Sequence, residues 1–398
     1  MTFESSSRGY LTYIYMNKKS IDYFISGVTV LVILFWSLFA GDFSIFDVKI
    51  FYFALFIFLP LLTVVSFTSV TYKSSYLIVF LLSSIFFLIK SFFIGYPEPY
   101  YHWVVQMVIC CALFVYVSEY LNRVNNFAFF NGLISSSILL FLFLLVGMLL
   151  LSEGGRGNFV FGPNILYRVF SILTLLVFFG LYSKGKVSLI KLLFVYILCA
   201  YALYKTGSRG SLISMIIVLV AMVHCYLGKI KLNKFIFFLP CAAIFVVIIY
   251  QLNSDMILQS RFSNFDYENN LSLALRINPH IAFFSNPLDY LLTFGIDYDQ
   301  FYQQFGHEQF PYPHNIFLEL IFFYGIFGAF FSAFIIISMM KATKKVINSD
   351  FNVFCLFYYI SMIIFFGALF SGSLLDNYVF LSAAFLLKWL ENRSCNKK

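Results

Sequence analysis

Residues 311–328 read PYPHNIFLELIFFYGIFG, and they hold the first candidate for chemistry. Two prolines stop whatever precedes, and His314 and Asn315 then stand at the threshold of a long apolar helix. Imidazole is the side chain best suited to move a proton near neutral pH. A His-Asn pair at a helix mouth therefore fits a reaction site at a membrane surface. It fits equally an ordinary loop-to-helix junction with His314 in interfacial water. Asn315 and Glu319, four apart, share a helix face, while Gly325 and Gly328 thin one side so that a neighbouring helix can approach.

A second set of residues carries guanidinium groups. Arg156 lies in SEGGRGNFVFGP (152–163), where four glycines let backbone come close to a ligand. Arg168 sits one turn inside the span opened by Pro163 and Asn164. At that depth an arginine is costly unless it is paired, faces a wet cavity or reaches the nearby interface. In YKTGSRGS (204–211) one span ends and the next begins. The free N–H groups of that helix start, Ser208 as N-cap and the charge of Arg209 together make an anion site. Arg276 lies near the end of a segment, 268–278, that can form a short helix with Leu271, Ala274 and Leu275 on one side. Arginine's planar fork suits bidentate contact with phosphate or carboxylate, salt bridges to Asp266 or Glu268 being the competing use. Asp297-Tyr298-Asp299 is a D-x-D pattern of a kind that holds divalent cations, but it stands alone, and His280, His307 and His314 lack close ligand spacing. No metal or cofactor is expected.

The elements that must position these groups are membrane spans. Hydrophobic residues make up 61% of the 398 and charged ones 11%, with mean hydropathy +0.89, which excludes an ordinary soluble domain. Apolar windows of about 20 residues, each able to cross a ~30 Å hydrocarbon core, recur twelve times: near 22–40, 47–66, 75–94, 100–117, 127–151, 164–182, 187–204, 210–228, 233–250, 314–340, 351–370 and 374–390. Lipid offers backbone groups no partner, so continuous apolar runs must be helices, and the fold expected is an all-α polytopic membrane protein.

The formal charge of +8 does not mark a nucleic-acid partner, because the basic residues form no single patch. With the N-terminus inside, 18 of the 26 Lys and Arg fall on cytoplasmic segments, 15 of them lysines, and five of the eight outer ones are arginines. That is the positive-inside bias, and it puts both termini in the cytoplasm. The expected organisation is a cytoplasmic lead (1–21), nine spans (22–250), one long periplasmic loop (251–313), three spans (314–390) and a cytoplasmic tail (391–398). None of the seven cysteines falls in an outer loop and none forms CxxC, so no disulfide framework is expected.

TGSRGSLIS (206–214), an outer loop with Arg276 and Asn286-Pro287, and PHNIFLELIFFYGIFG (313–328) resemble the O-antigen polymerase and O-antigen ligase superfamily, over about residues 150–340. One departure is that only Gly295 follows the Asn-Pro pair, where the family often shows two close glycines. The resemblance implies a GT-C-type glycosyltransferase of the bacterial inner membrane, independent of metal. Its partners would be undecaprenyl-diphosphate-linked oligosaccharides, membrane lipid and a chain-length regulator protein. Donors aimed at the departing diphosphate would stabilise that reaction, and Arg209 and Arg276 are the catalytic candidates, with Arg156, Arg168 and Ser208 at the diphosphate and Asn315 and Glu319 in support. His314, the third catalytic candidate, suits two roles equally, proton acceptor for the incoming hydroxyl or hydrogen-bond donor to phosphate. Polymerase is favoured over ligase, since heavy use of Phe and Tyr (55 and 28 residues) with Ile, Lys and Asn suggests an AT-rich gene, as in variable polysaccharide clusters. Twelve spans would also suit a transporter, but the long loop lies outside and the link near 183–187 is tiny, unlike the commonest twelve-span carriers.

Overall fold

The computed structural model describes residues 20–35, 44–45, 48–49, 74–95, 101–151, 162–185, 187–228, 271–305, 313, 315–370 and 374–395; at 44–45, 48–49, 74–79, 209, 271–276, 370, 374–376 and 392–395 it describes the backbone only. The expected spans at 47–66 and 233–250 lie almost wholly outside these residues.

Among the described residues the chain is helical apart from one two-residue antiparallel pairing, β1 (Ser44–Ile45) with β2 (Val48–Lys49). The helices are α1 (Ser20–Phe35), α2 (Ser74–Phe92), α3 (His102–Arg123), α4 (Phe127–Leu151), α5 (Pro163–Ser183), α6 (Leu189–Lys205), α7 (Arg209–Leu227), α8 (Leu271–Ser285), α9 (Pro287–Leu291), α10 (Tyr298–Phe305), α11 (Ile316–Ile347), α12 (Val353–Phe370) and α13 (Leu374–Cys395). Five of them (α3, α4, α5, α7 and α11) are long and apolar enough to cross a membrane.

Helix α5 is the hub. Pro163 opens it at N1, where its missing N–H costs nothing, and every residue from Leu166 to Gly180 is buried. Helices α4, α6, α7 and α12 pack around it, and α13 packs between α3, α11 and α12. A helix apolar all round is a buried or membrane helix, and α5 is the former inside a bundle of the latter. Where α1 crosses α4, Gly27 and Gly132 let the backbones meet. A Cβ on Gly27 would overlap the Phe129 carbonyl, and one on Gly132 the Phe24 carbonyl.

The bundle has two chemically different ends. At one, Lys184 bonds Asn131 and lies 4.2 Å from the Phe127 ring centroid. At the same end Lys388 pairs with Glu391 at 2.7 Å, Lys345 donates to the Glu391 carbonyl at 3.1 Å, and buried His224 is held by Tyr359 and the Ser349 carbonyl. Gly228, with φ +73, terminates α7 there. The other end gathers the starts of α3, α5, α7 and α11 and the finish of α12. Lys184, Lys345 and Lys388 thus share this end, whereas Lys205 closes α6 just before the start of α7.

Helix α11 is not one rod. Gly325 has φ +56 and ψ −133, which breaks it into residues 316–324 and 326–347. The expectation that Gly325 and Gly328 admit a neighbouring helix is corrected by this break. What approaches Gly325 is the non-helical stretch 293–295, and what approaches Gly328 is the chain's own Leu320 carbonyl. The docking is hydrogen-bonded: Ile326 N donates to Thr293 O at 3.1 Å and Ile296 N to Phe322 O at 2.8 Å. Those bonds restore partners that the break would strand. Tyr324 then ties the break to α2 and α3. Trp103 Nε1 donates to its hydroxyl at 2.9 Å; the hydroxyl donates to Ser91 Oγ at 2.6 Å, since Ser91 spends its own proton on the Phe87 carbonyl.

Candidate functional site

Two groups of polar residues lie at the end opposite Lys184, Lys345 and Lys388. The first joins the starts of α5 and α7. Ser208 occupies the N-cap position of α7 in extended conformation, but its hydroxyl donates to Asn164 Oδ1 at 2.8 Å and no side chain caps the helix. The expected N-cap role of Ser208 is corrected accordingly: it ties α7 to α5. An uncapped helix start is the more open to an anion, since its first N–H groups and dipole are not spent on a side chain.

Beside it lies Arg168, 9% exposed. Its Nε donates to the Tyr167 hydroxyl at 3.3 Å, a long bond, and its guanidinium carbon lies 5.8 Å from that ring's centroid. Among the described residues no carboxylate forms an ion pair with it; the two ion pairs there are Arg123–Glu119 and Lys388–Glu391. Two glycines make the room. A Cβ on Gly367 of α12 would lie 2.6 Å from Arg168 Nε and Nη2, and one on Gly210 of α7 would lie 2.6 Å from the Tyr167 hydroxyl. A guanidinium so buried is costly unless an anion, water or the interface meets its charge.

The second group joins α8 to the start of α11. Asn315 is a true N-cap: Oδ1 accepts from Phe317 N at 3.0 Å and Leu318 N at 3.3 Å. Its Nδ2 is then left to face His280 Nε2 at 3.3 Å. Amide nitrogen only donates, so His280 Nε2 accepts, and the ring proton of the neutral imidazole belongs on Nδ1. Glu319, on the same helix, is fully buried. Helix α8 runs on to Ser285, further than the 268–278 expected, and carries Pro279 inside it. Arg276 occupies the α8 position one turn before His280, so the two share a helix face. Phe317 links the groups, its ring 5.8 Å from Phe365 on α12, two residues before the Gly367 that abuts Arg168.

Of the expected residues, Arg168 meets Ser208's helix in one group, and Asn315 lies with Glu319 on α11 in the other. His314 and Arg156 lie outside the described residues. Arg209 and Arg276 are placed by backbone alone, at the first position of α7 and within α8. Asp297 of the D-x-D caps α10: its Oδ1 accepts from Gln300 N at 2.8 Å while its own N–H donates to Gln300 Oε1 at 3.2 Å, a capping box. Sequence reasoning gave Tyr167 and Gly367 no part, weighed His280 only as a metal ligand and took Asn164 only as a helix opener. His280 carried a signal, its four-residue spacing from Arg276. Gly367 carried none.

Five helices of spanning length and apolar composition are those of a multi-pass membrane protein. Residues 194–333, roughly a third of the chain, match the family described as O-antigen ligase, in agreement with the O-antigen polymerase and ligase superfamily that the motifs resemble. The match spans Ser208, Arg209, Arg276, His280, His314, Asn315 and Glu319, and leaves Arg156 and Arg168 outside it. Enzymes of that family are glycosyltransferase-like and act on lipid-linked glycans. No curated protein and no solved structure matches the chain.

Proposed function

We propose that this chain is an O-antigen polymerase of the bacterial inner membrane. It moves a growing polysaccharide from undecaprenyl diphosphate onto a sugar hydroxyl of a lipid-linked repeat unit at the periplasmic face. The observation that carries this reading is Arg168, buried without an ion-pair partner among the described residues beside the uncapped start of α7. The proposal includes twelve spans in a GT-C-type arrangement, both termini cytoplasmic, segment 251–313 periplasmic, and a chain-length regulator as partner.

In the reaction His314 takes the proton of the acceptor hydroxyl, whose oxygen attacks the anomeric carbon as the bond to the diphosphate breaks. The departing lipid diphosphate gathers negative charge. Arg209, Arg276 and the N–H groups at the start of α7 stabilise it, with Arg168 and Arg156 around it. Ser208 and Asn164 keep α7 in place, and Asn315 caps the helix that follows His314 in sequence. No metal takes part in this scheme.

Gly367→Ala tests the Arg168 seat. The methyl displaces the guanidinium, which is the movable end of a flexible side chain, so the protein is expected at normal level in the membrane. Transfer is expected to fall roughly tenfold to a hundredfold, as displacement of a charge-stabilising group does. Normal chain lengths in this variant would remove Arg168 from the site.

A second reading, ligation of the glycan to lipid A–core, is favoured by the name of the matching family. Deleting the gene and running lipopolysaccharide on a gel separates the two. Core plus one repeat is the result expected of a polymerase, core alone that of a ligase, and an unchanged ladder overturns both.

A further inference from the structure

The segment after α9 is expected to be plain extramembrane loop, yet its surface is apolar. Ile281, Phe284, Leu288 and Leu292 are exposed along α8 and α9, and Phe294 is 71% exposed. Helix α8 turns Phe283 inward, onto Tyr290, so the outward ridge is not a misplaced core face. The ridge runs directly onto a spanning helix: the Phe294 ring stacks on Phe327 of α11 at 6.1 Å, and Phe330, one turn further on, is 67% exposed.

Depth follows from helix geometry. From Phe327 to exposed Lys341 the fourteen residues of α11 rise about 21 Å. Lys341, Lys344 and Lys345 mark the polar boundary at that end. In a ~30 Å core Phe327 then lies about 9 Å inside the opposite boundary, and Phe294 lies beside it. Non-helical backbone survives at that depth only where protein satisfies it. Here Thr293 O accepts from Ile326 N, Thr293 Oγ1 donates to Tyr290 O, Gly295 N donates to Thr293 Oγ1 and Ile296 N donates to Phe322 O. The break in α11 supplies two of these four bonds.

We propose that residues 288–294 re-enter the bilayer and that the ridge from Ile281 to Phe294 docks on the hydrocarbon of the membrane itself. The occupant is lipid acyl chain, argued from the unbroken join to the lipid-facing side of α11. This inference rests on the chain's being a membrane protein and not on its proposed reaction. Its consequence for that reaction is that α8, with the Arg276 position and His280, is held at headgroup depth, where the phosphates of a lipid carrier lie.

Photocrosslinking in native membranes tests it, with p-benzoylphenylalanine replacing Leu288, Leu292 or Phe294, and exposed Gln303 of α10 as control. The result expected is a phospholipid adduct by mass at the three ridge positions, several-fold above that at 303. Equal lipid adducts at 303, or adducts with a second copy of the chain in place of lipid, would overturn the proposal. Phe294→Trp in nanodiscs of brominated lipid gives an independent measure. A quenched component is expected beyond that of native Trp36, Trp103 and Trp389, and an unquenched added tryptophan would equally overturn it. Neither readout depends on catalysis, so each can fail while the gel result stands, and the reverse.

Discussion

Replacing Arg209 or His314 by alanine is expected to abolish long-chain product while the protein stays at normal level in the membrane. Both positions open a helix: Arg209 is the first residue of α7, and His314 directly precedes the Asn315 cap of α11. The loss is chemical. Removing one donor that meets charge developing in a transition state typically costs ~3 kcal/mol, about a hundredfold in rate, and a polymerisation repeated over many cycles amplifies that into missing long chains. Arg209→Lys is expected to be almost as poor, since a point charge lacks the planar fork that grips a diphosphate. Chain length measured on a gel, normalised to protein in the membrane, reads all three. A fully active lysine variant would show that only net charge matters there, and wild-type chains in an alanine variant would remove that residue from the mechanism.

Gly325→Ala is the second large effect expected, and it acts on the fold. At φ +56 and ψ −133 a Cβ is strained whatever the space, and here it would also overlap the Thr293 carbonyl and lie 2.7 Å from Gly295 N. Gly295 meets the same interface from the other side with φ +89, where a Cβ would overlap the Phe323 carbonyl. Both contacts are backbone against backbone, so no side chain can swing aside. Holding a side chain in that sparsely populated region costs about 1–3 kcal/mol, and opening this dock forfeits the bonds at Thr293 and Ile296 besides. The variant is expected to lose its docked loop and a large part of its thermal stability in detergent, read by melting temperature and by new protease cleavage within 286–296. Wild-type melting and protection would mean that the break does not need glycine.

How much of this was legible beforehand differs from residue to residue. The helix starts at Pro163 and near Asn315 were readable because prolines and polar residues at helix starts act over three or four residues, within reach of local pattern, although the capping role of Asn315 itself was not read. The start of α7 was readable too, yet the use of Ser208 was not. Whether its hydroxyl turns to its own helix or to Asn164 depends on a helix packed alongside. Gly325 misled for a related reason: in an apolar run a glycine reads as a close-packing surface, and nothing nearby reveals that a stretch thirty residues earlier fills the gap. His280 was weighed only for metal-ligand spacing, because its partner, Asn315, is remote in sequence.

The amino-acid sequence by itself determined that the chain is helical and membrane-borne, which end of the bundle carries Lys184, Lys345 and Lys388, and which short motifs open helices at the other end. These depend on composition and on interactions within a turn or two, and lipid admits few other solutions. Only the tertiary structure decided that α11 breaks at Gly325, that 293–295 fills the break, and that Arg168 rests on Gly367, about 200 residues away. Those are contacts between backbones or side chains brought together by packing. Their physical basis is the absence of a Cβ and the matching of stranded hydrogen-bond groups, and neither leaves a periodic mark in the chain.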